Sequence, residues 1–177
     1  MCGIVGIWDQ SNRNDQERLS HEVLTAVKML HHRGPDDNGV WTNGHGLGFG
    51  HTRLSILDLS SHGHQPMISA DGRFVLVYNG EVYNFAEIRE TLSSLGYSFN
   101  GSGDTEVILA SFQEWGDAAV HRFIGMFAIA IYDGKKNDLH LIRDRAGVKP
   151  LVYYHKDDLF MFASELKAFH QHPDFEK

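Results

Sequence analysis

The residue type that most readily does chemistry occurs once in this chain, as Cys2. A single cysteine makes neither an internal disulfide nor a multi-thiolate metal site. Its plain reading is a small buried hydrophobe. Its place beside the initiator methionine offers another use. Removal of Met1, which a small second residue permits, puts an α-amine and a thiol on one residue. Such an amine titrates at about 7.7–8.0. It can therefore take the thiol proton near neutral pH without help from a histidine.

Three other features have chemistry to offer, each with a plainer reading beside it. Tyr78-Asn79-Gly80-Glu81 follows an apolar run. Asn-Gly is a strong turn signal, and a turn is the favoured reading on sequence alone. The same pair can hold an oxyanion, through the Asn amide and the Gly N–H. Arg53, in Gly50-His51-Thr52-Arg53-Leu54-Ser55-Ile56, is a surface residue, half of an ion pair, or a clamp on a carboxylate. Asp104 opens Asp104-Thr105-Glu106 and reads most simply as a helix N-cap. It can also receive an ammonium group. Together these groups match a free amino acid carrying a side-chain amide. Arg53 meets the α-carboxylate, Asp104 the α-ammonium, and the amide carbon faces the thiol.

The elements that must position these residues are legible as patterns. Residues 3–8 form an apolar run without polar alternation, a strand buried on both faces. Val23, Ala26, Val27 and Leu30 mark one face of a helix, with Ser20 as its N-cap and Arg33-Gly34-Pro35 as its stop. Val40-Trp41 and Leu47-Gly48-Phe49 read as hairpin strands, and Arg53–Leu59 and Gly63–Pro66 as ordered loops. Phe74–Tyr78 is a further strand. Phe85, Ile88, Leu92 and Leu95 mark a second helix ended by Gly96. Ile108, Phe112 and Trp115 mark a third, ended by Gly116. Strands follow at Met126–Tyr132, Leu139–Arg143, Leu151–Tyr154 and Leu159–Ala163. Ser164 caps a last short helix over Glu165–His170. Two groups of apolar strands with amphipathic helices predict two stacked sheets with helices on their outer faces.

Composition narrows the function classes. At 177 residues and 20.0 kDa the chain is the size of one domain. With 16 basic and 23 acidic residues the net charge is −7, opposite in sign to a nucleic-acid-binding surface. Arg143-Asp144-Arg145 is accordingly a structural turn or domain contact. No apolar run approaches the ~20 residues that span a bilayer, and the N-terminus lacks the basic and apolar regions of a signal peptide. The expected location is the cytoplasm. The 12 histidines include His31-His32, His62-Gly63-His64 and His170-Gln171-His172. None has a metalloprotease spacing and no cysteine partner is at hand, so no metal site is expected. Gly101–Gly103 lacks the Gly-Lys-Ser/Thr of a phosphate loop.

Several blocks occur in a fixed order: Cys2–Gly6, Arg33–Asp36, Gly50–Asp58 (GHTRLSILD), Gly63–Pro66, Tyr78–Asn84 (YNGEVYN), Gly103–Glu106, Gly125–Ala128, Arg143–Pro150 (RDRAGVKP) and Phe162–Lys167. In this the chain closely resembles the glutaminase domain of glutamine-hydrolysing asparagine synthetases, a class II glutamine amidotransferase. The resemblance covers nearly the whole chain, residues 1–177, with the mature start at Cys2. It implies an α+β fold, the four-layer αββα sandwich of N-terminal-nucleophile hydrolases, with two mainly antiparallel sheets. It implies Cys2 as nucleophile, Asn79 and Gly80 as the oxyanion hole, and Arg53, Glu81 and Asp104 as the glutamine-binding groups. Backbone groups near Ile56 and Leu57 complete that pocket. The domain itself needs no cofactor. ATP and Mg are expected for a C-terminal synthetase domain, which is absent from these residues and acts in cis or as a partner subunit. Aspartate is the default acceptor, and the resemblance allows a homodimer. The rival reading is a non-catalytic regulatory or interaction module that keeps the fold.

Overall fold

The computed structural model describes residues 1–11, 15–55 and 60–176. In chain order its elements are β1 (Gly3–Asp9), α1 (Gln16–Met29), β2 (Asp37–Thr42), β3 (Leu47–Arg53), β4 (Met67–Ile68), β5 (Phe74–Val82), α2 (Phe85–Ser94), α3 (Thr105–Trp115), β6 (Gly125–Asp133), β7 (Asp138–Arg143), β8 (Val152–Lys156) and β9 (Leu159–Ala163). Short 3-10 turns cover His31–Arg33, Ser61–Gly63, Gly116–Arg122 and Leu166–Gln171. The chain divides into two compact units. One comprises Met1–Leu54 with Pro150–Lys177, and the other Ser55–Lys149. This is the α+β class expected, with two antiparallel sheets and helices.

The first unit holds a five-stranded sheet in the order β2-β3-β1-β9-β8. β1 lies at its centre, which explains the unbroken apolar run. Val5 and Ile7 on one face join Leu159, Met161 and Ala163 of β9 against Leu19, Val23, Ala26 and Val27 of α1. On the other face the Phe162 ring lies across Gly6, where a Cβ would sit 2.0 Å from a ring carbon. That ring also meets Phe49 edge-on at 5.5 Å. Helix α1 begins earlier than its apolar face suggested. Asp15, not Ser20, is the N-cap, and its carboxylate accepts from the Arg18 N–H at 2.7 Å. Ser20 sits within the helix because the polar first turn, Gln16–Arg18, has no apolar residue to announce it.

The second unit holds a four-stranded sheet in the order β4-β5-β6-β7. β5 and β6 pair along their whole lengths, from Phe74 opposite Asp133 to Val82 opposite Gly125. Leu76, Tyr78, Ile129 and Ile131 pack with Ile88, Leu92, Val107, Ile108 and Phe112 of the two helices. Gly96 and Gly116, with φ of +98° and +56°, follow the ends of α2 and α3 as expected. Leu95 does not share the apolar face assigned to it, being 53% exposed. Asp144 accepts from the N–H groups of Val148 at 2.9 Å and Lys149 at 3.0 Å, so Arg143-Asp144-Arg145 does enter a structural turn.

A turn expectation and a capping expectation fail in the same way. Asn79-Gly80 is no turn but the continuation of β5, with Asn79 opposite Ala128 and Gly80 opposite Phe127. The nine-residue partner strand supplies a ladder that outweighs the local turn preference. Gly80 is there because the β6 backbone leaves no room. A Cβ at this position would lie 2.3 Å from the Met126 carbonyl oxygen. Ser164 does not cap a helix either. Its Oγ accepts from the Ile4 N–H at 3.0 Å, and its own N–H donates to Ile4 O at 2.9 Å. No helix among the described residues is long and apolar enough to cross a membrane.

Candidate active site

In the first unit the chain ahead of β1 places Cys2 beside the end of β3. The Leu54 N–H points at the Cys2 Sγ at 3.4 Å, and Leu54 O lies 3.7 Å from the same sulfur. The thiol can donate to the carbonyl, and a thiolate would accept from the N–H. Both protonation states thus have a partner. Arg53 is the last residue of β3, opposite Asp37 of β2, and is 8% exposed. Its backbone is tightly packed. The Asp36 N–H donates to Arg53 O at 3.0 Å, and a Cβ on Gly34 would fall 2.5 Å from the Arg53 carbonyl carbon. The Arg33–Asp36 block thus buttresses Arg53 through backbone contact that only glycine permits.

Sequence reasoning assigned Arg33 to a helix stop and missed its contacts. Its Nε donates to Cys2 O at 2.9 Å, and its Nη1 donates to Glu165 Oε1 at 2.9 Å. The signal available was an arginine immediately before Gly-Pro, inside a block that belongs to the ordered series.

In the second unit Asn79, Gly80 and Glu81 are consecutive on β5. Asn79 is 1% exposed, and its Nδ2 is buried with no hydrogen-bond partner among the described residues. Nearly all buried polar groups in proteins are satisfied, so a buried amide donor held without an acceptor calls for a reason. Asp104 occupies the residue before α3 but makes no side-chain cap bond. Its Oδ2 instead accepts from the Tyr78 hydroxyl at 2.6 Å and the Val82 N–H at 3.0 Å. The helix-capping reading is therefore replaced by a bridge to β5. Burial pushes the Asp104 carboxyl above the ordinary aspartate value of 3.8; its hydrogen bonds from Tyr78, Val82 and its own backbone pull it down, and the charge of Glu81 pushes it up again. A carboxylate so placed, with a second acid nearby, is suited to receive a cation, whose charge would relieve both the desolvation and the repulsion.

Ile56 and Leu57 lie outside the described residues. The remaining site residues fall in two groups: Cys2 and Arg53 in the first unit, and Asn79, Gly80, Glu81 and Asp104 in the second. Among the described residues no group of three or more His, Cys, Asp or Glu side chains is placed to hold a metal ion.

A family model described as a glutamine amidotransferase domain matches residues 1–177. The chain is 42% identical over 176 residues to glutamine-hydrolyzing asparagine synthetase 3 of Bacillus subtilis, covering 98% of this chain and 28% of that protein. It is 40% identical over 185 residues to a putative glutamine-hydrolyzing asparagine synthetase 2 of Methanocaldococcus jannaschii, covering 95% of this chain and 35% of that one. The chain thus spans about a third or less of these curated relatives. Among solved structures, glutamine phosphoribosylpyrophosphate amidotransferase from B. subtilis superposes with a TM-score of 0.78 at 21% identity, covering 95% of this chain and 43% of that one. That likeness shows a shared fold.

Proposed function

The chain belongs to the glutamine amidotransferase domain family, and from that premise we propose that Cys2, freed of Met1, hydrolyses the side-chain amide of L-glutamine. The Cys2 amine takes the thiol proton. The thiolate attacks the amide carbon, and the Asn79 amide and Gly80 N–H receive the oxyanion. The ammonium of Cys2 returns its proton to the departing nitrogen, and ammonia leaves with a γ-glutamyl thioester behind. Water, losing a proton to the same amine, adds to the thioester. Collapse releases glutamate, and the proton goes back to sulfur. Arg53 holds the α-carboxylate of the substrate, and Asp104 with Glu81 holds its α-ammonium. Backbone groups at Ile56 and Leu57 complete the binding.

The observation that carries this reading is the Asn79 Nδ2, unpartnered among the described residues. A donor buried without an acceptor is ready for charge that appears only during reaction. The ammonia is proposed to pass to a synthetase domain, in the same chain or a partner, that uses ATP and Mg to activate aspartate. The relatives' printed names and their greater length support that acceptor. Intact mass and glutamate release, measured on the same samples, test the proposal. Activity should scale with the fraction of protein lacking one methionine. Full turnover by protein that retains Met1 would overturn it, because its Cys2 nitrogen is an amide and no base.

A further inference from the structure

Loss of Met1 leaves Cys2 with one peptide neighbour, and β1 begins only at Gly3. Its carbonyl is then the backbone handle by which the fold can set the directions of the amine and the thiol. That handle is held by Arg33 Nε at 2.9 Å. Arg33 is in turn held by Glu165, whose Oε1 accepts from Nη1 at 2.9 Å. The same carboxylate meets His32 Nε2 at 3.0 Å and Lys167 Nζ at 3.1 Å. The neighbouring residue, Ser164, is bonded in both directions to the backbone of Ile4. Two consecutive residues after β9 therefore grip the start of the chain, one at residue 4 directly and one at residue 2 through an arginine.

We propose that Glu165 is a positioning residue for glutamine hydrolysis: through Arg33 it fixes the Cys2 carbonyl and so the geometry of amine and thiol. This rests on the reading of Cys2 as nucleophile. Burial opposes ionisation of Glu165, but its bonds to Arg33, Lys167 and His32 hold it down at about 2. It is therefore a full negative charge wherever the enzyme works. Arg33, with a side chain only 8% exposed, needs an acceptor at this point to stay in place. Glu165 touches no group assigned to glutamine, so its effect belongs on kcat and not on KM.

The test compares wild type, Glu165→Ala and Glu165→Gln, all shown by mass to lack Met1. The readouts are glutamine kinetics, thermal melting, and the rate at which iodoacetamide alkylates Cys2, the only cysteine. Alkylation reports thiolate and so the service of the amine. Glu165→Ala should lower kcat by about 10- to 100-fold, with KM within about threefold, since misplacement by an ångström has that scale of effect. Its alkylation should slow by about tenfold. Glu165→Gln keeps an acceptor for Arg33 and should recover to within about fivefold of wild type. A folded Glu165→Ala protein with wild-type kcat and alkylation would overturn the proposal. So would a loss confined to KM, or no recovery in Glu165→Gln. If Glu165→Ala fails to fold, Glu165→Asp is measured in its place. It keeps the charge but retracts it by one methylene, and it should show the same loss in kcat and alkylation. If wild type releases no glutamate, the functional reading fails, and the alkylation ratio alone decides the positioning role.

Discussion

Replacing Tyr78 by Phe removes one hydroxyl and keeps the ring in its place in the core. The hydroxyl donates to Asp104 Oδ2 at 2.6 Å, and backbone N–H groups, that of Val82 at 3.0 Å among them, are then the remaining donors. Burial already favours the neutral acid at this position, and Tyr78 is the first of the groups opposing it. A hydrogen bond to a charged group contributes about 1.5–3 kcal/mol. Its loss lowers the ratio of ionised to neutral Asp104, at any one pH, by roughly 10- to 100-fold. Only the ionised form holds an ammonium. KM for glutamine should therefore rise on the acid side by up to about the same factor, and the two proteins should converge at alkaline pH. Tyr78 touches no reacting atom, so kcat at alkaline pH should stay within about twofold. Glutamate release across about pH 5 to 9 measures both constants. Equal KM values in acid, or a difference that grows toward alkaline pH, would refute the reasoning about Asp104.

Asp104→Asn keeps an acceptor for Tyr78 and removes a charge whose folded-state value is raised above 3.8. A raised acid costs stability once pH exceeds the unfolded value, and the cost is complete above the folded one. The variant should therefore melt about 2–4 °C higher at neutral pH while losing saturable glutamine hydrolysis; a lower melting temperature in calorimetry counts against the desolvation argument. Asn79→Ala should lower kcat by roughly 10²–10³, and a value near wild type in the same assay removes it from the oxyanion hole. Arg53→Ala should mainly raise KM for glutamine, and an unchanged KM contradicts its role as the carboxylate clamp.

Strands were the most readable part of this fold. β1 and β6 are buried on both faces, so their apolar runs stand out from every neighbouring segment. Caps and turns were less readable wherever a partner distant in sequence decides them. Asp104 looks like a cap until Tyr78, 26 residues earlier, claims its carboxylate. Ser164 looks like a cap until Ile4, 160 residues away, donates to it. Asn79-Gly80 looks like a turn until β6 pairs with it. The candidate site residues stand out by type, since Cys2, Arg53 and the Asn-Gly pair carry the proposed chemistry in their side chains and backbone. Arg33 and Glu165 do not, because their part lies in the link between Cys2 and a carboxylate that follows β9.

Glutamate release by Cys2→Ala, on protein shown to melt like wild type, tests the central claim most directly. The variant keeps the α-amine and the strand that follows it and lacks only the sulfur. Glutamine hydrolysis should fall to background. Substantial turnover would show that the nucleophile lies elsewhere.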